Sequence, residues 1–421
     1  MSKIFKSVIY FFSLLSFFTA EAQTTSLSLD SCYILARTNY PLVRQYDLIS
    51  KSTEYTIENA NRGYLPQINI NAQATYQSAV VELPFQIPGV EPLSKDQYKV
   101  YAELYQPIYD GGVVKQQKKI QKANSLLEQQ KLETELYKLK SRVEQLFFGI
   151  LMIEEQLKQT SLIQNDIQNG IKRTQGAVDN GAAFKSSVDL LKAEALKIEQ
   201  RVLELQANKR AFTNMLGLLI GMTLDEETKL ITPASPAGYA GSINRPELLL
   251  FEYQRNSLDK QNGLLSAVNR PKLNLFFQGG YGRPAFNILS NDFEPYYIGG
   301  FRLNIPISGF YTLKNQRNLI DLNKRSVDLQ QETFLFNTNL TLNHQSEEIN
   351  KLQALLNTDE EIIRLRGSVK SAASAQLENG VITSSDYLRE VNAEDAARQT
   401  RILHNIQLLM AQYQQKTSSG N

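Results

Sequence analysis

The chain has 421 residues, 45 Lys and Arg against 43 Asp and Glu, one cysteine and two histidines. That length fits two or three ordinary domains or one duplicated unit, and a near-neutral charge with dispersed basic residues excludes a nucleic-acid-binding stripe. Cys32 stands alone, which excludes an intrachain disulfide; it fits a small apolar residue of the first helix better than the alternative, a reactive thiol.

The first twenty-two residues read as a cleaved secretory signal. Lys3 and Lys6 precede the apolar run "VIYFFSLLSFF", and Ala20-Glu21-Ala22 supplies the small-x-small ending. The mature chain is expected to start at Gln23, and no cysteine sits there to carry a lipid. Beyond it no apolar run reaches eighteen residues, so helical membrane spans are excluded, although strands of a membrane barrel are not.

A helix is predicted over 30–62. After Pro66 the period changes to two: Ile68, Ile70, Ala72, Ala74 and Tyr76 alternate with Gln67, Asn69, Asn71, Gln73 and Thr75. A second alternating run holds Tyr98, Val100, Ala102 and Leu104. Together they predict a β-hairpin over 66–108, closed by the proline-containing loop "LPFQIPGVEPL" (83–93). Each run is about ten residues, the length that a tilted strand needs to cross a bilayer.

Residues 108–232 contain no proline, so long helices can run there. Leu132, Leu136, Leu139, Val143, Leu146, Ile150, Ile153 and Leu157 are spaced by four and three, the seam of a left-handed coiled coil. The reading is a helix over 113–178, on the order of 100 Å at 1.5 Å per residue. A turn comes next at 179–186, marked by "DNG", and then a helix over 187–220 whose seam runs from Val188 to Leu205. Residues 225–243 form a linker.

The second half repeats this order. "NYPLVRQYDLISKSTEYTIENANRGYLPQINI" (39–70) aligns without a gap to "NRPELLLFEYQRNSLDKQNGLLSAVNRPKLNL" (244–275), placing Pro66 on Pro271. Pro107 meets Pro306, and "VDNG" (178–181) meets "LENG" (377–380). Shared order argues for duplication of a unit of roughly two hundred residues. The units run 23–224 and 244–416, the second comprising a helix over 244–268, a hairpin over 271–307, a helix over 311–377, a turn over 378–384 and a helix over 385–416. The hairpins carry Tyr98, Tyr101, Tyr105, Tyr109, Phe276, Phe277, Tyr281, Tyr296 and Tyr297, expected to form aromatic girdles at a membrane surface. Four strands cannot close a barrel, and open edges are not viable in lipid. Strands in a membrane would therefore need several chains to share one barrel. The alternative is an exported coiled-coil scaffold or adhesin whose hairpins pack on soluble protein.

Little points to an enzyme. His344 and His404 lie in predicted helices without metal-binding spacing, no glycine pair opens a phosphate loop, and carboxylate pairs such as Glu154-Glu155 fit solvated helix faces. No cofactor or metal is expected.

The order of "LSLDSCYILARTNYPLV", "NRGYLPQINI", "YQPIYDGG" and the two asparagine-glycine turns resembles the TolC-type outer-membrane channels, the exit ducts of Gram-negative efflux pumps and type I secretion systems. The resemblance covers nearly all of the mature chain. It implies a mostly α fold with a small β part and a homotrimer: a twelve-stranded β-barrel in outer-membrane lipid, continued by a periplasmic helical barrel. Pro66, Pro107, Pro271 and Pro306 would mark the barrel-to-helix junctions. Asn180, Gly181, Asn379 and Gly380 would form the periplasmic tip turns, which meet an adaptor (membrane fusion) protein and, through it, an inner-membrane pump. The family's entrance aspartate, six residues after the second glycine, falls on Asp386. Its position near a helix start also suits an ordinary cap. The second ring position falls on Arg389, a departure that weakens cation selectivity. The latch residues of better-known members are replaced by Ser187, Leu377 and Ile382, leaving Asp179, Asp189, Glu378 and Arg389 as candidates for ion-pair closure.

Overall fold

A computed structural model describes residues 26–421 except 82–83, 86–87, 89, 226–227 and 239–240. The expected signal segment, 1–22, lies outside the described residues. The protein is mostly helical with one four-stranded sheet, and it divides into two compact units.

One unit comprises residues through Tyr40, Lys138–Ser242 and Thr341–Ser419. It opens with β1 (Ser26–Leu27), which pairs in parallel with β4 (Lys229–Leu230). Helix α1 (Leu29–Asn39) is capped by Ser28, whose hydroxyl accepts from the Ser31 amide at 3.1 Å. It ends where Pro41 pushes Tyr40 into an extended conformation (φ −65, ψ 130). Helices α4 (Leu139–Asp179), α5 (Lys185–Ile220) and α8 (Ser384–Ser419) pack together with α1. Their main apolar core joins Leu29, Cys32, Ala36, Phe147, Leu216 and Ile406. Cys32 is fully buried, and burial pushes its thiol up to about 11, which keeps it protonated and inert.

The other unit comprises Pro41–Tyr137, Ile243–Leu340 and the last two residues. A 3-10 turn, Pro41–Arg44, leads into α2 (Gln45–Arg62). The single helix expected over 30–62 is therefore two α-helices and a turn, because Pro41 has no N–H to continue the first and restricts the residue before it. Strands β2 (Gln67–Tyr76) and β3 (Asp96–Tyr109) form the first hairpin; β5 (Lys272–Arg283) and β6 (Glu294–Asn304) form the second. All neighbours are antiparallel, in the order β2-β3-β5-β6. Helix α3 (Val113–Tyr137) packs on α2 and on α6 (Pro246–Val268), the latter started by Pro246 at its first turn. Asp110 caps α3, its carboxylate accepting from the amides of Gly112 and Val114 at 2.8 and 2.7 Å.

The helix expected over 113–178 is likewise divided, into α3 and α4. Lys138 between them has ψ −19, a 3-10 rather than an α value, which interrupts the i to i−4 ladder for one residue. Helix α7 runs unbroken over Phe310–Glu378.

Candidate functional site

Two regions carry functional information: the faces of the sheet in one unit and the helix turns in the other. The sheet's register places its apolar residues opposite one another. Ile68 faces Leu104, Leu104 faces Phe277, and Phe277 faces Gly299; Ala72 faces Val100, which faces Tyr281; Leu275 faces Phe301. Directly opposed residues share a face, so one face is apolar across all four strands. That face is open: Ile70 is 79% exposed and Phe301 72%. The opposite face carries Asn69, Asn71, Gln73, Lys99, Glu103, Gln278 and Arg302 in mutual register. A sheet folding against soluble protein would cover its apolar face. This one presents it outward, the pattern of a lipid-facing barrel wall with a polar interior.

The apolar run from Ile68 to Tyr76 spans about 26 Å at roughly 3.3 Å per residue, close to the ~25 Å apolar band of membrane barrels. Polar groups bound it. Asp96 and Arg283 form an ion pair at the loop end, where Arg283 also lies over the Tyr98 and Phe293 rings, and Gln106 sits at the helix end. Among the described residues, β2 and β6 each keep one unpaired edge.

The aromatic girdles need correction. Tyr98, Phe277, Tyr281 and Tyr297 lie on the apolar face, but Tyr101, Tyr105, Phe276 and Tyr296 pair with Asn71, Gln67, Tyr105 and Gly280 on the polar one. Alternation along each strand separates them, because successive side chains point to opposite faces. Of the junction prolines, Pro66 and Pro271 stand immediately before β2 and β5, and Pro306 precedes the 3-10 turn Ile307–Gly309. Pro107 lies inside β3, at a register shift between Pro107 and Tyr109, where its missing N–H interrupts the ladder.

In the other unit the α4–α5 and α7–α8 turns share one geometry. Gly181 and Gly380 are left-handed, at φ +73 and +67. The amide of Ala182 donates to Ala177 and that of Val381 to Gln376, both at 2.8 Å, closing a Schellman motif at each helix end. The Asn180 and Asn379 side chains each donate to a carbonyl four residues back, Gly176 and Ala375. The helices that these turns join share an apolar cluster built from Ile163, Ile167, Leu191, Tyr387, Leu388 and Val391. Leu377 and Ile382 pack onto that cluster, so apolar contact occupies the positions where latch groups were sought.

The two turns differ in how the next helix begins. Thr383 and Asp386 form a capping box at the start of α8: the Thr383 amide and hydroxyl donate to the Asp386 carboxylate at 3.2 and 2.6 Å, and the Asp386 amide donates back to the Thr383 hydroxyl. The Thr383 hydrogen bonds, with Arg389 nearby, hold the Asp386 carboxyl below the usual carboxylate range. Arg389 pairs with Asp386 at 3.4 Å and with Glu390 at 3.1 Å. At the corresponding place before α5 stands Phe184, 81% exposed and giving no side-chain cap. Asp179 accepts from Gln175 in its own helix, Asp189 lies early in α5, and Glu378 ends α7.

Sequence reasoning missed the charged cluster beyond the turn. On α8, Glu390, Glu394 and Asp395 meet Arg366, Lys370 and Arg201 from α7 and α5. A signal existed: Arg366 and Lys370 are four apart and Ala373 and Leu377 continue at three and four, the spacing of an apolar seam with charges in two places. Among the described residues no group of three or more His, Cys, Asp or Glu is placed to hold a metal. No described helix is long and apolar enough to cross a membrane, which says nothing of strands.

Residues 33–219 match the model of the outer membrane efflux protein family. No curated protein matches the sequence. The fold matches solved outer-membrane channels at low identity. With the outer membrane protein VceC of Vibrio cholerae the TM-score is 0.67 at 14% identity, covering 93% of this chain and 96% of that one. With the CmeC channel of Campylobacter jejuni the values are 0.64 and 13%, covering 93% and 85%. With the open-state MtrE channel of Neisseria gonorrhoeae they are 0.65 and 14%, covering 93% and 89%. The chain thus carries the efflux family's pattern through its first half and the TolC-type channel fold through nearly all of its length.

Proposed function

We propose, from a chain with the TolC-type channel fold, that three copies assemble into a passive outer-membrane exit duct for an efflux pump or type I secretion system of a Gram-negative bacterium. The observation that carries this reading is the sheet. One face is apolar in register over four strands and open in the single chain, and both outer edges are unpaired. Pairing β6 of one copy with β2 of the next around a three-fold axis satisfies the edges and gives twelve strands, with the apolar face to lipid and the Asn, Gln, Lys and Glu face to a water-filled interior.

The helices support the same assembly. Leu355, Ile362, Leu365 and Val369 form an exposed stripe on α7 spaced seven, three and four, and Leu196 and Leu203 an exposed pair on α5 spaced seven. Stripes with coiled-coil spacing left open in one chain fit the helices of neighbouring copies. The two halves of the chain then act as a duplicated unit, after removal of the signal over 1–22, with 225–243 linking them.

In this reading the Gly181 and Gly380 turns form the periplasmic tip and meet an adaptor protein, through which an inner-membrane pump delivers cargo. Asp386 caps α8 and also stands at the entrance, beside Arg389. The duct has no catalytic residue or cofactor, and the pump selects the cargo. An exported scaffold or adhesin is disfavoured because it has no use for an outward apolar sheet face.

Planar-bilayer recording on purified protein tests the reading. Discrete conductance steps are expected, and Asp386→Ala should weaken their block by a trivalent cation. Absence of conductance from protein that extracts as a trimer would overturn the duct.

A further inference from the structure

The two helices that leave the sheet begin against the usual charge rule. The first ten residues of α3, 113–122, hold Lys115, Lys118, Lys119 and Lys122, and those of α7, 310–319, hold Lys314 and Arg317; neither stretch holds an Asp or Glu. A helix start carries partial positive charge and disfavours cations, and α1, α2, α6 and α8 each place an acid in the first turn. Lys115, Lys119, Lys122 and Lys314 are exposed, and among the described residues none of them has a hydrogen bond or ion pair. Asp110, the nearest carboxylate along the chain from Lys115, is occupied by the α3 cap. The pattern belongs to the repeat. With Pro107 set on Pro306, Lys115 falls on Lys314 and Lys118 on Arg317. Lys118 donates to Asn61 at 2.9 Å and Arg317 to Ser266 at 3.0 Å, and Asn61 and Ser266 are themselves equivalent.

We propose that these lysines form a basic collar just below the β-barrel, which binds the phosphates of anionic phospholipids in the periplasmic leaflet and fixes the depth of the barrel in the membrane. The proposal rests on the channel reading.

The hand of the chain turns the lysines toward lipid. The Gln77 amide donates to the Lys95 carbonyl at 2.8 Å, so the β2 residues in phase with Gln77, those of the polar face, bond toward β3. For L-residues, with that face inward and β2 rising to the cell exterior, β3 lies clockwise of β2 seen from outside the cell. Helix α3 keeps this order, with α2 beside Lys118 and α6 beside Gln116. A right-handed helix so flanked directs Lys115, Lys119 and Lys122, spaced four and three, away from the duct axis.

Depth agrees with direction. Helix α3 starts at Val113, directly after β3 ends at Tyr109. Lys115, Lys119 and Lys122 then lie about 3, 9 and 14 Å below its start at 1.5 Å per residue. The polar layer of a leaflet is about 5–7 Å deep, and charges act over a further ~8 Å of saline. Long lysine stems extend the reach of the ammonium groups upward to the phosphates.

The test uses the mature trimer in phosphatidylcholine vesicles containing one-fifth phosphatidylglycerol, with spin-labelled forms of either lipid reporting which is retained at the protein surface. Phosphatidylglycerol should be preferred by about fivefold, the effect of one lysine close to a charged surface. Lys115→Gln, Lys119→Gln and Lys122→Gln together should bring the two lipids close to parity, and high salt should do the same to the unsubstituted protein. Glutamine at exposed helix positions keeps the fold. Lys185→Gln, Lys192→Gln and Lys197→Gln on α5 make the same change of charge in the other unit and should leave the preference intact. An unchanged preference in the inserted α3 variant would overturn the collar and leave the duct standing, as would an altered ion selectivity of conductance with no change in lipid preference. Equal losses in both triple variants would overturn it too, because net charge alone would then explain them. Protein that never inserts would overturn the duct and the collar together.

Discussion

Ala72→Arg, with Asn71→Arg beside it, puts the sheet's orientation to a quantitative test. The two positions adjoin in β2 but lie on opposite faces. Ala72 is exposed in the single chain, aligned with Val100 and Tyr281, and four residues from each end of the apolar run Ile68–Tyr76. Arginine there meets no steric obstacle within one chain. In water its cost would fall within about 0.5 kcal/mol, as for an ordinary surface change. At the middle of a bilayer it costs about 2–4 kcal/mol per site, hence about 6–12 kcal/mol for three copies in one barrel. That is comparable with the whole stability of a typical protein, about 5–15 kcal/mol. Asn71 faces Tyr101 on the polar side, and arginine there should be tolerated in a wet lumen. The assay is recovery of trimer from purified outer membranes, followed by denaturant unfolding in lipid vesicles. Ala72→Arg should abolish or strongly reduce the trimer while Asn71→Arg assembles. Equal tolerance of both would refute a lipid-facing apolar wall.

Local chemistry predicts three further outcomes. Glu144 is fully buried; Tyr33 and Thr417 donate to one carboxylate oxygen and the other has no partner, and burial raises its pKa. A folded pKa above the unfolded one contributes stability that is present at acid pH and lost as pH rises through the folded value. Glu144→Gln should therefore stabilise the protein by about 1–3 kcal/mol at pH 8 and much less at pH 4, measured by thermal unfolding at both. Gly181→Ala meets open space and should cost only about 1–2 kcal/mol for its left-handed backbone. Gly221→Ala should cost clearly more, because its Cβ would also come within 2.7 Å of Asn39, whose amide donates to Ile220; denaturant midpoints compare the two. Thr383→Val removes the hydroxyl of the α8 cap and should cost about 1 kcal/mol, with faster amide exchange confined to the first turn of α8.

The parts of this fold legible in the sequence are those where one period dominates. Alternation from Ile68 to Tyr76 announces a strand because its apolar residues face a single environment, and the four-three spacing from Leu132 to Ile153 announces a helix seam for the same reason. The illegible parts depend on neighbours. Tyr101 and Tyr281 are both aromatic strand residues, and only the register puts them on opposite faces. Pro41 was visible, but its capacity to divide one helix into two depends on the turn that replaces it. The break at Lys138 has no composition signal, since a ψ of −19 needs no special residue. The Lys370 cluster was hidden because a charged residue at seam spacing reads as a solvated face until Asp166 on α4 and Glu394 on α8 are in place. At the turns, the glycines and asparagines were legible from local backbone needs and so was a cap at Asp386 from its place near a helix start, whereas its pairing with Arg389 required the structure.

The most direct test of the account is the molar mass of the detergent-extracted mature chain by light scattering, corrected for bound detergent. A trimer recovered only with detergent is the predicted result, because the open apolar face and unpaired strand edges must be satisfied by lipid and by two further copies. A monomer that stays soluble without detergent would contradict it, since no shared barrel would then cover that face.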